Sequence, residues 1–260
     1  MDAWITACAG FGVGAIVGVT GVGGGSLMAP ILVLLFGVAP VAAVGTDLWF
    51  AAITKLVGGW VHHQRGGVDT RVLRLLCMGS LPTSIATLVW LHLAHVGRMQ
   101  NGLLMAALGA VLLLTALAMV FKSQAHEIGR RLRSTAPDAF KRAQPALTVV
   151  AGAILGLLVT LTSIGAGALG SVMLVYLYPY RMTPSRLVGT DIVHAIPLTI
   201  IAGTGHLLMG NVDLKLLGTL LLGSIPGIVI GSMLMGKLPE RALRLAIAAV
   251  LTVSGIKLLG

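Results

Sequence analysis

The sequence predicts an all-α integral membrane protein made of two inverted repeats of about five helical segments each, with short glycine-broken helices or re-entrant hairpins at the start of each repeat. Three observations predict it. Hydrophobic residues fill 57% of the 260 positions and charged residues 10%, with a mean hydropathy of +0.98, which leaves too little polar surface to cover a water-soluble globule. Val44-Gly45-Thr46-Asp47 recurs as Val188-Gly189-Thr190-Asp191, 144 residues further on. At that offset Gly12 also falls on Gly156, Gly21 on Gly165, Gly23 on Gly167, Pro40 on Pro184, His62 on His206, Val68-Asp69 on Val212-Asp213, and Gly79-Ser80-x-Pro82 on Gly223-Ser224-x-Pro226. Third, with the basic linker inside, an inverted arrangement of the two copies puts fourteen Lys and Arg residues inside and three outside, whereas a parallel one gives eleven and six. Cytoplasmic loops are rich in Lys and Arg, so inversion is favoured, with both termini periplasmic.

Residues 3–19 form a short apolar segment in which Gly10, Gly14 and Gly18 stand four apart, a spacing for close helix packing. Gly21-Val22-Gly23-Gly24-Gly25 breaks the helix, Ser26 is placed to cap a new one from Leu27, and that next piece, with Pro30, is too short to span. Residues 41–61, 72–93 and 101–121 are each long enough to cross a hydrocarbon core. A polar connection, 122–145, carries Lys122, Arg130, Arg131, Arg133, Lys141 and Arg142 and ends at Pro145. It divides a first transmembrane repeat, 1–121, from a second, 146–260. The second repeats the order: 146–160, a glycine break at 165–170, a short piece to Tyr178, then 187–209, 214–236 and 241–259. The start of the chain has no basic cluster ahead of its apolar run and reads as the first membrane element.

The net charge of +10 is explained by topology, so no nucleic acid is implied. Cys8 and Cys77 lie in apolar segments and read as small hydrophobes. Gly165-Ala166-Gly167-Ala168-Leu169-Gly170 is a literal GxGxxG, but it lacks the strand-turn-helix setting that a dinucleotide needs. No Walker lysine comes after the glycines, and no nucleophile stands with a base, so neither cofactor, nor ATP coupling, nor enzymatic chemistry is expected.

Short, glycine-interrupted helices at matching positions of two inverted repeats mark a transport site near the midplane. Free backbone N–H groups and the helix dipole make the start of such a half-helix attract an anion. Gly23, Gly24, Gly25 and Ser26 present that surface in one half, and Gly165, Gly167 and Ser171 in the other. The other reading of these breaks is a hairpin that serves packing alone. Asp47 and Asp191 are costly at membrane depth unless paired, protonated or wet, which makes them candidate proton carriers; a helix-capping role is the alternative. His194 lies one turn after Asp191 and offers an Asp-His relay, although its counterpart is Phe50. Thr46 and Thr190 give hydroxyls either to substrate or to backbone. Pro82 and Pro226 each free a carbonyl four residues back and are candidate hinges. His62 and His206 are expected at the interface, and Lys55, aligned with Thr199, to snorkel or pair locally.

Taken as a set, Gly21-Val22-Gly23-Gly24-Gly25-Ser26, Pro40, Val44-Gly45-Thr46-Asp47 and the His62-to-Asp69 turn resemble the sulfite exporter TauE/SafE family, over nearly the whole chain apart from the basic linker. The resemblance implies a bacterial inner-membrane transporter of sulfite, sulfonates or related sulfur oxyanions. Many members carry Ser where this chain has Asp47. An acid beside an anion path repels a dianion unless protonated, which argues for proton linkage. The expected partners are a small anion and the lipid bilayer, with an oligomer allowed. Two other classes stay open: a passive anion pathway through the same breaks, and a metal or cation transporter using Asp47, Asp191 and His194.

Overall fold

A computed structural model describes residues 3–20, 25–62, 67–93, 101–135, 137–233 and 240–259. Among them are eleven α-helices and no strands: α1 (Ala3–Thr20), α2 (Gly25–Leu34), α3 (Pro40–His62), α4 (Thr70–Leu93), α5 (Asn101–Val120), α6 (Lys122–Thr135), α7 (Pro137–Thr162), α8 (Ala168–Leu177), α9 (Pro184–Leu208), α10 (Leu214–Met233) and α11 (Glu240–Leu259). Five helices, α3, α4, α7, α9 and α10, are long and apolar enough to cross a bilayer, and α5 with α6 forms a pair bent by 64°. Large apolar side chains such as Trp4, Leu114, Val150 and Leu222 point outward, while Asp47, Lys55, Thr190 and His194 are buried. That inside-out distribution suits hydrocarbon around the molecule. The protein is an all-α integral membrane protein.

Glycine sets the packing. A Cβ at Gly10, Gly14 or Gly18 would strike the backbone of Leu220, Ser224 or Ile228, so α1 and α10 run side by side in the same direction with their backbones touching. Likewise a Cβ at Gly152 would strike Leu76 and one at Gly156 would strike Ser80, which seats α7 on α4 in the same direction. Gly10 and Gly14 thus take the places of Gly152 and Gly156, an offset of 142 residues. The gapless alignment of Gly12 on Gly156 is corrected here, because a Cβ at Gly12 would meet nothing within 4 Å. By contrast Gly45 lies against His206 while Leu48 and Trp49 lie against Gly203, so α3 and α9 pass in opposite directions. α5 and α11 also oppose each other, with Gly109 beside Leu259 and Leu113 beside Gly255.

The duplicated motifs clasp one half to the other. Thr46 Oγ1 accepts the backbone N–H of Asp213 at 3.0 Å, and Thr190 Oγ1 accepts that of Asp69 at 3.0 Å. Each of those aspartates in turn caps a helix: Asp69 Oδ1 accepts from Val72 N at the start of α4, and Asp213 Oδ1 from Leu216 N at the start of α10. Arg181, in the α8–α9 connection, grips Asp69 with both ends of its guanidinium.

The linker differs from expectation in its second part. Pro145 lies inside α7 and not at a helix start, so the polar connection is itself helical, made of α6 and the first turns of α7. The carbonyl that Pro145 frees is in reach of water there, so the helix continues. Gln144 Nε2 donates to the carbonyl of Leu177, and His126 Nε2 meets that of Pro179 at 3.0 Å. Both contacts hold the C-terminal end of α8 to the linker.

Candidate functional site

Between α7 and α8 the chain breaks over residues 163–167. Ser163 (φ 60), Gly165 (φ 121) and Gly167 (φ 127) all have left-handed φ, which glycine tolerates and serine seldom adopts. A non-glycine residue held this way is stored strain, of the kind that gathers at functional sites.

Three buried charges converge on this break. Lys55, on α3, is 2% exposed and donates from Nζ to the carbonyl of Ala166 at 3.1 Å, across 111 residues of chain. Asp191, on α9, lies at the start of α8, where the Gly167 N–H faces it and a Cβ at Gly170 would come within 2.5 Å of its Oδ1. The helix end expected to cradle a substrate anion therefore holds the protein's own carboxylate. Asp47, 0% exposed, faces Ser163 and the Ala29 backbone without completing a hydrogen bond to either. Both its oxygens and Ser163 Oγ are buried with no partner among the described residues. Lys55 is within electrostatic reach of both aspartates, yet it closes an ion pair within 4.0 Å with neither.

Of the two expectations for Lys55, snorkelling or pairing close by, the structure shows neither as such: its partner lies inside the protein but far away in the chain. Lys55 reaches no interface, because the carbonyl freed at the helix break gives its ammonium an acceptor inside the protein. His206 lies in the last turn of α9, buried by its neighbours, and donates from Nε2 to the Thr160 carbonyl at 3.0 Å. His194 does lie one turn from Asp191, but its Nε2 bonds Ser80 Oγ across the bundle at 2.9 Å, so no direct Asp-His pair forms. Ser171 Oγ donates back to its own helix at Ala168, and the Thr46 and Thr190 oxygens are engaged between the halves. Pro82 and Pro226 lie inside α4 and α10, one turn after the glycines at which those helices touch α7 and α1. Gly23 and Gly24 lie outside the described residues; Gly25 and Ser26 open α2. Asp47, Asp191 and His194 do not gather as a metal-binding cluster among the described residues.

The family model described as sulfite exporter TauE/SafE matches residues 6–258. The chain belongs to the TauE/SafE family. It is 40% identical over 255 residues to the probable membrane transporter protein YjnA of Bacillus subtilis (strain 168), covering 96% of this chain and 97% of that protein. Over 215 residues it is 28% identical to the probable membrane transporter protein YdhB of the same organism, covering 80% of each. No solved structure matches. This TauE/SafE chain is thus a membrane transporter, and its buried charges lie inside the transport fold. The residues that sequence reasoning missed are Lys55 and Ser163. Their signal was available: each is a polar residue at a position where the other half has a different one, Lys55 against Thr199 and, at the offset of 142 that holds for α7, Ser163 against Gly21.

Proposed function

We propose that this chain carries a small sulfur oxyanion, sulfite or a sulfonate, through the bacterial inner membrane by alternating access, with Lys55 as the anion's anchor and Asp47 and Asp191 as proton carriers. The observation that carries the reading is the buried Lys55 ammonium at a strained helix break, with a carboxylate to either side and no closed ion pair. Gly165 and Gly167 supply backbone N–H groups beside it, and Gly23 to Ser26 are the matching surface of the other half. The opposed course of α3 and α9, and of α5 and α11, supports inverted halves, the linker lying in the cytoplasm and both termini in the periplasm. Pro82 and Pro226 are the hinges of the rocking halves.

Charge balance gives the coupling. A net charge buried at membrane depth costs several kcal/mol, so the favoured states are neutral ones. Without substrate, neutrality needs Lys55 charged, one aspartate charged and the other protonated. With a monoanion on Lys55, both aspartates must be protonated. One proton therefore travels with each monovalent anion, and the step carries no net charge. Acid speeds entry from the acid side, because a protonated Asp191 gives up its hold on Lys55 and the start of α8.

Sulfite flux into liposomes tests this. A pH gradient, acid outside, accelerates uptake, and a potassium diffusion potential does not. Asp47→Asn and Asp191→Asn weaken the response to the gradient. Unchanged flux in both variants, or no response of the wild type to the gradient, defeats the coupling.

A further inference from the structure

We infer that the seam between α4, α7 and α9 is a proton route to Asp191 from the face of the membrane at which α9 ends. This rests on the proton-coupled reading of the transport site and names the path by which the proton arrives.

The seam is lined with buried groups that each hold both a donor hydrogen and an acceptor lone pair, which is what passing a proton on requires. His194 Nε2 meets Ser80 Oγ at 2.9 Å. One turn along α4, Ser84 Oγ meets Thr160 Oγ1 at 2.7 Å; the Thr160 hydroxyl gives its own hydrogen to the Gly156 carbonyl at 2.7 Å, so it takes a proton from Ser84 only as that bond turns away. Further along, His206 Nε2 donates to the carbonyl of that same Thr160, which anchors the ring and passes no proton itself, so the relay from His206 runs through its Nδ1 and a water. The Nδ1 atoms of His194 and His206 are both buried with no partner among the described residues, so each imidazole keeps a site free for a proton or a water. The two hydroxyl pairs stand one helical turn apart, about 5–6 Å, a gap that one water molecule spans. His194 lies one turn from Asp191, which places the inner end of the line at the proposed carrier.

The pseudo-symmetry of the fold supplies its own control. The mate seam, between α10, α1 and α3, packs by the same glycine contacts, yet Phe50 stands for His194, Ile228 for Ser84 and Gly18 for Thr160. Two groups repeat, His62 in the place of His206 and Ser224 in the place of Ser80, and the Ser224 hydroxyl is buried without a partner among the described residues. Packing of the seam therefore does not require His194, Ser84 or Thr160, because the mate seam does the same packing without them. Burying unneeded hydroxyls and imidazoles costs free energy, so their presence on one side points to use. The charged groups that act on the line are Lys55 from α3, within electrostatic reach of His194 and Asp191, and Lys122 from the start of α6, which reaches Asp191; α4 and α7 present hydroxyls.

The test uses the full chain in liposomes loaded with a pH-sensitive dye, and compares Ser80→Ala and Thr160→Val with Ser224→Ala. Sulfite counterflow at equal pH on both sides reports anion exchange alone. The seam variants are expected to keep counterflow while uptake driven by a pH gradient, and the proton entry the dye reports, fall about ten-fold or more; Ser224→Ala matches the wild type. The inference is overturned if the seam variants keep gradient-driven uptake, if Ser224→Ala loses as much as Ser80→Ala, or if counterflow falls with it, since the seam then carries the anion or only holds the fold. If the wild type moves no sulfite, the substrate reading fails. The seam is then judged on the dye alone, as proton entry under an imposed potential that Ser80→Ala reduces and Ser224→Ala does not; equal entry in all three overturns it.

Discussion

Replacing Lys55 by methionine keeps most of the side-chain volume and removes the charge, so it isolates what the ammonium does. Lys55 is the one buried lysine or arginine among the described residues, and two buried carboxylates depend on it. Breaking a buried charge cluster by deleting one partner costs about 3–5 kcal/mol. The orphaned carbonyl of Ala166 accounts for part of that, since an unsatisfied buried acceptor costs about 1–3 kcal/mol. For a chain of this size each kcal/mol lowers Tm by about 2–4 °C, so Lys55→Met is expected to unfold roughly 6–20 °C below the wild type in detergent. The carboxylates can escape by taking up protons, so the deficit shrinks at acid pH. Adding Asp191→Asn to Lys55→Met recovers part of the loss, and the double-mutant cycle gives a coupling of about 1–3 kcal/mol. Sulfite flux is abolished in Lys55→Met at every pH, because neutral carboxylates do not replace the anchor. A Tm within about 2 °C of the wild type together with intact flux refutes both the charge cluster and the anchor.

Thr46→Val and Thr190→Val each leave a backbone N–H of the opposite half without its acceptor and are expected to cost about 1–3 kcal/mol apiece, nearly additively, in chemical unfolding. Gly14→Ala is expected to sharply reduce the yield of folded protein, because its Cβ meets the Ser224 backbone, whereas Gly12→Ala, open on all sides, is neutral; size-exclusion profiles distinguish the two. Arg181→Gln removes the grip on Asp69 and increases labelling of a cysteine introduced at Met182 by a water-soluble maleimide, with a change in stability of no more than about 1 kcal/mol.

The fold was legible because hydropathy, glycine spacing and duplication each act locally. Gly10, Gly14 and Gly18 announce a helix contact whatever the partner, and the Val-Gly-Thr-Asp pair announces equivalent helices. The site was harder, because duplication marks what both halves need, and what both halves need here is attachment to each other. Thr46 and Thr190 recur since each secures the N-cap of a helix in the other half; that contact lies across 167 residues in one case and 121 in the other, beyond any local pattern. The proposed chemistry gathers where the repeat fails, at Lys55 against Thr199 and His194 against Phe50. A lone lysine in an apolar stretch reads as a snorkelling residue until the fold shows that its end meets a broken helix in place of an interface. The two-residue difference between the repeats, absorbed in or beside the break, was likewise hidden by the gapless match of motifs that flank it.

The same asymmetry bears on which way the halves rest. If two inverted copies exchange arrangements in each transport cycle, a perfectly symmetric chain has two end states of equal energy. This chain does not, because Arg181 locks the α8–α9 connection to the start of α4, and the equivalent position in the first half is Gly37, with no side chain to give Asp213. The latch is half exposed, with 43% of the Arg181 side chain accessible, so its contribution stays at about 1 kcal/mol or less after screening. That still biases the two states by about five-fold, enough to set a resting orientation without trapping it. A latch of several kcal/mol would hold the carrier shut and slow every turn. In the proposed cycle a weak one lets protonation of a buried aspartate, worth more than the latch, decide when the face opens.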